Sequence, residues 1–251
     1  MIRALATLLL CLICLGTVGQ ALAEEEIIHV AVPPFAPFAF FKESTKCEGA
    51  SIAILNKLAS ETGLKFSHVK YPYARILTSL KSGQIDLALI FKNTSIKNSV
   101  SYIGPVSQSK VVVLTRTKNS ISVYEDLARL KQIAVIRKAH FETRFDEDTR
   151  LNKVPVESYL QAIQMFKLNR VEAVVGSLSG LEYAMQELKV NVDMLKNAYQ
   201  LGQKEWWLHI SKKYSHPDLI ARLTKAVEKI YQPDLTYQVY KQQINQCLKD
   251  L

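Results

Sequence analysis

Leu80-Lys-Ser-Gly-Gln-Ile-Asp86 and Phe166-Lys-Leu-Asn-Arg-Val-Glu172 are two versions of one pattern, set 86 residues apart (80 to 166). In each, a helical apolar period stops at a residue that tolerates left-handed backbone, Gly83 in the first and Asn169 in the second. One polar residue, one β-branched residue and one acid follow. Then comes an apolar run, Leu87-Ala-Leu-Ile-Phe91 or Ala173-Val-Val175. Glycine has no Cβ to clash in the left-handed region, and asparagine can hydrogen-bond locally, so helix stop and strand start can coincide. The recurrence predicts two similarly built lobes in which a helix feeds a buried strand.

The same alternation extends outward. Strands are expected at Ile27–Val32, Lys65–Lys70, Ile85–Phe91, Lys110–Arg116, Gln132–Arg137, Lys153–Val156, Val171–Val175 and Trp206–Ser211. Between them, apolar residues at helical spacing mark Ala50–Thr62, Tyr73–Ser82, Ser158–Leu168 and Ser179–Leu188. A long helix starts at Pro217, and a last one runs over Asp234–Leu248 beyond Pro233. Ser122-Val-Tyr-Glu125 reads as a capping box that opens a short helix. Strands alternating with helices argue for an α/β protein with mostly parallel sheets, covered on both faces by crossover helices.

Composition sets outer limits. Apolar residues make up 48% of the chain and charged residues 22%, ordinary values for a globular protein. The net charge of +9 comes from lysines and arginines spread over many segments. None forms a run interleaved with stacking aromatics, so a nucleic-acid partner is not expected. Arg3, the apolar Ala4–Gly16 and the small-x-small Ala21-Leu-Ala23 read as a cleavable export signal over residues 1–23. That run is shorter than the roughly 20 apolar residues a membrane span takes. Cys11 and Cys14 leave with the signal. Cys47 and Cys247 remain in an oxidising compartment, where they form a disulfide or stay as two thiols. The five histidines show no metal-ligand spacing, and neither metal nor cofactor is expected. Gly176-Ser-Leu-Ser-Gly180 has Leu178 where a nucleophile elbow needs its serine.

The ordered set of motifs resembles the family 3 extracellular solute-binding proteins, with their type II periplasmic binding-protein fold. A strand ending in Pro33-Pro34-Phe35 comes first, then a helix after Gly49, then Leu80–Asp86. Tyr102-Ile-Gly-Pro105, Tyr124-Glu-Asp-Leu127, Ile133-Ala-Val-Ile136 and Asn169–Val175 follow, over residues 27–245 in all. The resemblance implies a two-lobed periplasmic protein: lobe I at 24–114 and 201–251, and lobe II at 115–200. A two-segment hinge would lie near Lys110–Arg116 and Tyr199–Glu205. Cys47 and Cys247 would then both belong to lobe I, which favours their pairing. The protein would be a monomer that closes on a small-molecule ligand and serves an ABC-type permease or a membrane sensor.

The resemblance also implies where that ligand sits. Tyr73 matches the aromatic that stacks on ligand in amino-acid-binding relatives; otherwise it caps its helix. Arg75 would hold a carboxylate bidentately or join a surface ion pair. Phe35 and Phe38 would wall the cleft or pack a sheet edge. Phe91, Asn93 and Thr94 follow the Asp86 strand, where relatives bind ligand carboxylates, and Lys97 lies just beyond. Ser177 stands where relatives carry an aspartate for an α-ammonium group, and a buried ammonium without a carboxylate is costly. Arg137 and His140 lie in the loop opening lobe II's first helix, and with Arg75 and Lys97 they suggest a net positive cleft. These departures point to an anionic or neutral polar ligand, not a standard amino acid. The fold also hosts cyclohexadienyl-type dehydratases, an alternative that needs a general acid in the cleft.

Overall fold

The computed structural model describes residues 27–34, 36–39, 48–116 and 120–247. The expected export signal, Phe35, and the side chains of Cys47 and Cys247 lie outside the described residues.

The chain folds twice through the same unit. In the first, β1 (Ile27–Val32), α1 (Ala50–Thr62), β2 (Lys65–Lys70), α2 (Tyr73–Ser82) and β3 (Leu87–Phe91) give three parallel strands in the order β2-β1-β3. Between the units runs β4 (Val100–Thr115). In the second, β5 (Ile133–Ile136), α3 (Thr143–Glu147), β6 (Lys153–Val156), α4 (Tyr159–Lys167) and β7 (Ala173–Ser177) repeat that order as β6-β5-β7. Helix α5 (Leu178–Glu187), β8 (Tyr199–Ser211), α6 (Pro217–Ile230) and α7 (Leu235–Cys247) complete the chain. The strands form a mixed eight-stranded sheet, β2-β1-β3-β8-β4-β7-β5-β6.

The two halves of that sheet join through β4 and β8. These pair antiparallel from Val100 opposite Ser211 to Val113 opposite Tyr199, with three register shifts. One end of β8 adds to β3, and the far end of β4 adds to β7. Sequence periodicity marks only 110–116 and 206–211 as strand, less than half of each element's true length. Gly104, Pro105 and the polar run Ser107-Gln108-Ser109 hide the remainder. The register shifts at Tyr102/Gly104 and Pro105/Ser107 absorb a proline that cannot donate to the ladder. Gly104 also lets α6 approach: a Cβ there would stand 2.9 Å from Val227 Cγ1.

The repeated motif acts the same way in both halves. Gly83 (φ 73°) and Asn169 (φ 58°) both take the left-handed conformation. Asp86 then clasps the adjoining strand: its N–H donates to His29 O (3.0 Å), and its Oδ2 accepts from His29 N (2.8 Å). Glu172 repeats this, donating to Gln132 O (3.0 Å) and accepting from Lys131 N (2.7 Å). Each acid fixes the register at which its strand enters the sheet.

The expected Ser122/Glu125 capping box takes another form. Asp126 Oδ2 accepts from the N–H groups of Ser122 and Val123, while Glu125 pairs with Arg144. An aspartate one residue further on reaches the open N–H groups, which frees the glutamate for the neighbouring helix. The apolar core is continuous across both halves, because aromatic side chains at their junction bridge the two sets of buried strands.

Candidate functional site

Both halves end their parallel strands on the same side, and a cavity forms between those ends. The first half contributes Pro33 and Phe38 after β1, Tyr73 at the start of α2, and Phe91 at the end of β3. The second contributes Ile136, Ala139 and Phe141 after β5, and Tyr159 at the start of α4. Trp206, on β8, stands between them. Its ring packs against Phe91 (4.3 Å between centroids) and Phe38 (4.6 Å). Phe38 meets Tyr159 at 6.4 Å and Phe91 meets Phe141 at 6.5 Å, so two aromatic contacts cross from one half to the other. The open volume left is about 20 Å³, room for one water molecule.

Tyr159 is seated by the turn from β7 into α5. A Cβ at Gly176 would lie 2.2 Å from its ring, and one at Gly180 2.3 Å, so only glycine allows the ring to lie there. Its hydroxyl accepts from Ser177 N (3.1 Å) and from Ser177 Oγ (3.3 Å). Ser177 Oγ also accepts from Gly180 N (3.3 Å), capping α5. Ser177 is thus a fully buried serine that holds an aromatic ring in place.

Tyr73 Oη and Asn93 Nδ2 meet at this junction, and neither has a further hydrogen-bond partner among the described residues. Burial pushes the Tyr73 phenol well above its ordinary pKa, and the neighbouring Asn93 side chain eases that only in part. The phenol therefore stays protonated and able to donate. The rest of Asn93 is tied down. Its Oδ1 accepts from Ser95 N and Oγ, its N–H donates to His209 Nε2, and its carbonyl accepts from Tyr102 Oη.

Of the residues singled out in the sequence, Phe38, Tyr73 and Phe91 line the cavity. Asn93 and Ser177 are buried behind it, beside Tyr73 and Tyr159. Phe35 lies outside the described residues, and the other candidates are not among the walls. Arg75 is exposed, with its guanidinium 4.0 Å over the Tyr71 ring. Thr94 and Lys97 are exposed on a short 3₁₀ turn. Arg137 pairs with Glu157, and His140 Nδ1 lies 3.5 Å from Asp146. Among the described residues that line the cavity none carries a charge, where the loop cations suggest a positive cleft. Long basic side chains at loop ends reach water and surface carboxylates more cheaply than they enter an aromatic pocket. Lys204 on β8 is half-buried, and burial lowers its pKa against the pull of Asp146, Glu142 and Glu205.

Sequence reasoning missed Phe141 and Trp206 as walls and read Tyr159 as helix core. The spacing Gly176-x-x-x-Gly180 held the usable signal, since two glycines flanking a strand-to-helix turn mark a side chain packed onto the backbone.

A family model described as bacterial extracellular solute-binding proteins, family 3, matches residues 27–246. The chain belongs to that family. Among curated proteins, this family member is similar to the virulence sensor protein BvgS of Bordetella pertussis, at 23% identity over 223 residues. The match covers 86% of the chain but only 18% of BvgS, so the chain spans about a fifth of that relative's length. Among solved structures, the periplasmic VFT2 domain of Bordetella pertussis BvgS superposes with a TM-score of 0.70 at 22% identity, over 88% of the chain and 94% of the domain. An arginine-specific periplasmic binding protein of Salmonella typhimurium gives 0.66 at 18% identity, over 86% and 98%. These structural likenesses establish the two-lobed fold of the family member. Among the described residues, no helix is long and apolar enough to cross a membrane.

Proposed function

We propose that this protein is an exported receptor that captures a small neutral solute between its two lobes and presents it to a membrane permease or sensor. Residues 24–114 and 201–251 form one lobe and 115–200 the other, acting as a monomer that pivots on β4 and β8. The observation that carries the reading is the cavity itself, walled by both lobes at the carboxyl ends of their strands, where open α/β sheets place ligands. Of the anionic and neutral ligands anticipated from sequence, the uncharged walls favour the neutral kind. Six of the nine lining residues are aromatic, so the ligand body is flat and apolar. Tyr73 Oη and Asn93 Nδ2 offer hydrogen bonds for one polar group on it. About 20 Å³ cannot hold such a molecule, so the lobes part to admit it and close again around it.

A receptor fits better than a dehydratase. Among the described residues, the walls contain no carboxylic acid to act as general acid. The similarity to a sensor protein and to an arginine-binding protein supports capture rather than turnover, and leaves both membrane partners in play.

The test is a thermal-shift screen of residues 24–251 against neutral aromatics, aromatic carboxylates, amino acids, amines and sugars. A neutral planar ligand at about 100 times its Kd adds about 2.7 kcal/mol. In a domain of this size that raises Tm by about 5–10 °C. Tyr73→Ala should abolish the shift. Stabilisation by cationic amino acids alone would overturn the reading, as would a hit that binds Tyr73→Ala equally well.

A further inference from the structure

A second and much larger cavity lies at the hinge, sharing no lining residue with the aromatic one. Its volume is about 340 Å³, within the range of small-molecule sites. Ser109 and Gln203 come from the two hinge strands, Ser179 from the first turn of α5, and Asp234 and Tyr237 from the start of α7. The walls therefore come from both halves of the sheet. The same two helices are tied together by Glu182, which accepts from Tyr237 Oη (3.2 Å) and pairs with Lys241 (2.8 Å). Ser179 is 2% exposed, and its Oγ has no hydrogen-bond partner among the described residues, though it lines this space. A buried hydroxyl left unpaired is costly, so an occupant of this space that reaches Ser179 would relieve that cost.

We propose that this hinge cavity binds a small, uncharged, polyhydroxylated solute of monosaccharide size. The polar lining is made of serine, glutamine and tyrosine side chains, groups that both donate and accept hydrogen bonds, as a polyol requires. Lys110 and Asp234 also line it and cancel in charge, so a net anion or cation would meet one like charge. The Tyr237 ring and Pro233 give flat apolar faces for the C–H side of a sugar ring. The site also touches the cleft through one residue. Ser109 Oγ accepts from Trp206 Nε1 (3.0 Å), and the Trp206 ring forms part of the aromatic wall. An occupant bridging both halves favours the lobe arrangement that keeps these walls together.

The experiment titrates ¹⁵N-labelled residues 24–251 with glucose, ribose and N-acetylglucosamine, with glutamate and putrescine as charged counter-probes. At least one sugar should move the amides of Ser109, Ser179 and Gln203 and the Trp206 indole N–H. Ser179→Ala should weaken that sugar about tenfold, the loss of one or two hydrogen bonds, without lowering Tm. A purely structural serine would not separate the two readouts. Tyr237→Ala should weaken it similarly, whereas Tyr73→Ala should leave it unchanged, which keeps this site distinct from the cleft. The proposal is overturned if no sugar moves these amides at about 10 mM. It is equally overturned if only a charged probe binds there, if the shifts map to Tyr73 and Phe141, or if Ser179→Ala binds as tightly as the parent.

Discussion

His209 offers the sharpest stability test. It is fully buried on β8. Its Nδ1 lies 2.9 Å from Trp207 O, a group that can only accept, so Nδ1 carries the proton. Nε2 then accepts from Asn93 N at 3.4 Å. A second proton would face that N–H, and Lys92 lies nearby. Burial pushes the ring's pKa down from 6.5 to about 4, against the opposing pull of the Trp207 and Ala88 backbone and with a small push from Lys92. A depressed histidine pKa means the unfolded chain binds the proton more readily. The stabilisation is therefore complete above about pH 6.5 and is lost as pH falls towards about 4. Between pH 7.5 and 4.5 the loss from this one group is about 2.5 kcal/mol. Urea unfolding of the parent and of His209→Gln at both pH values isolates it from the titration of carboxylates, which both proteins share. At an m-value of about 2 kcal/mol/M, the parent's midpoint should drop about 1.2 M further than the variant's. A variant that loses as much as the parent, or an NMR titration placing the His209 pKa near 6.5, would refute the reasoning.

Three further outcomes are expected. Gly180→Ala drives a methyl group into the Tyr159 ring and should destabilise by about 1–3 kcal/mol in urea unfolding, with Tyr159 displaced into the cavity and ligand capture lost; full stability and capture would show that the ring is not held by that turn. Trp206→Ala removes the ring shared by Phe38 and Phe91, and should cost about 3–5 kcal/mol by the same assay. Asp86→Asn and Glu172→Gln each weaken a charged clasp on a backbone N–H and should cost about 1 kcal/mol apiece, adding independently because they sit in different halves.

Much of the fold is legible without coordinates because local chemistry and tertiary role agree there. The bounds read for α1 and α2 coincide with the structure, since Gly63 and Gly83 stop both helices in the left-handed region. The duplicated motif reveals the paired architecture for the same reason. The long strands β4 and β8 resist reading because a two-stranded crossing between half-sheets needs no continuous apolar alternation and tolerates Pro105 at an irregular step. The site resists for a different reason. Phe141, Tyr159 and Trp206 have the same sequence signature as core aromatics, and only the meeting of two halves decides which rings border a cavity. The cations that looked functional in sequence are long, flexible and near loops, the context in which charge most easily finds solvent.

The order of strands along the chain bears on how the molecule is assembled. The unit from β5 to β7 is a single unbroken stretch, so its strands can meet as soon as that stretch exists. Strand β3, by contrast, pairs its Leu87–Phe91 edge with Trp206–Ile210, and more than a hundred residues of chain intervene. Closing so long a loop costs only slightly more entropy than closing a short one, but it takes time. Until β8 arrives, β3 presents a bare, wholly apolar edge of the kind that recruits foreign strands. A lesion in β8 should therefore reveal itself as aggregation through the amino-terminal half, while the middle of the chain is already folded.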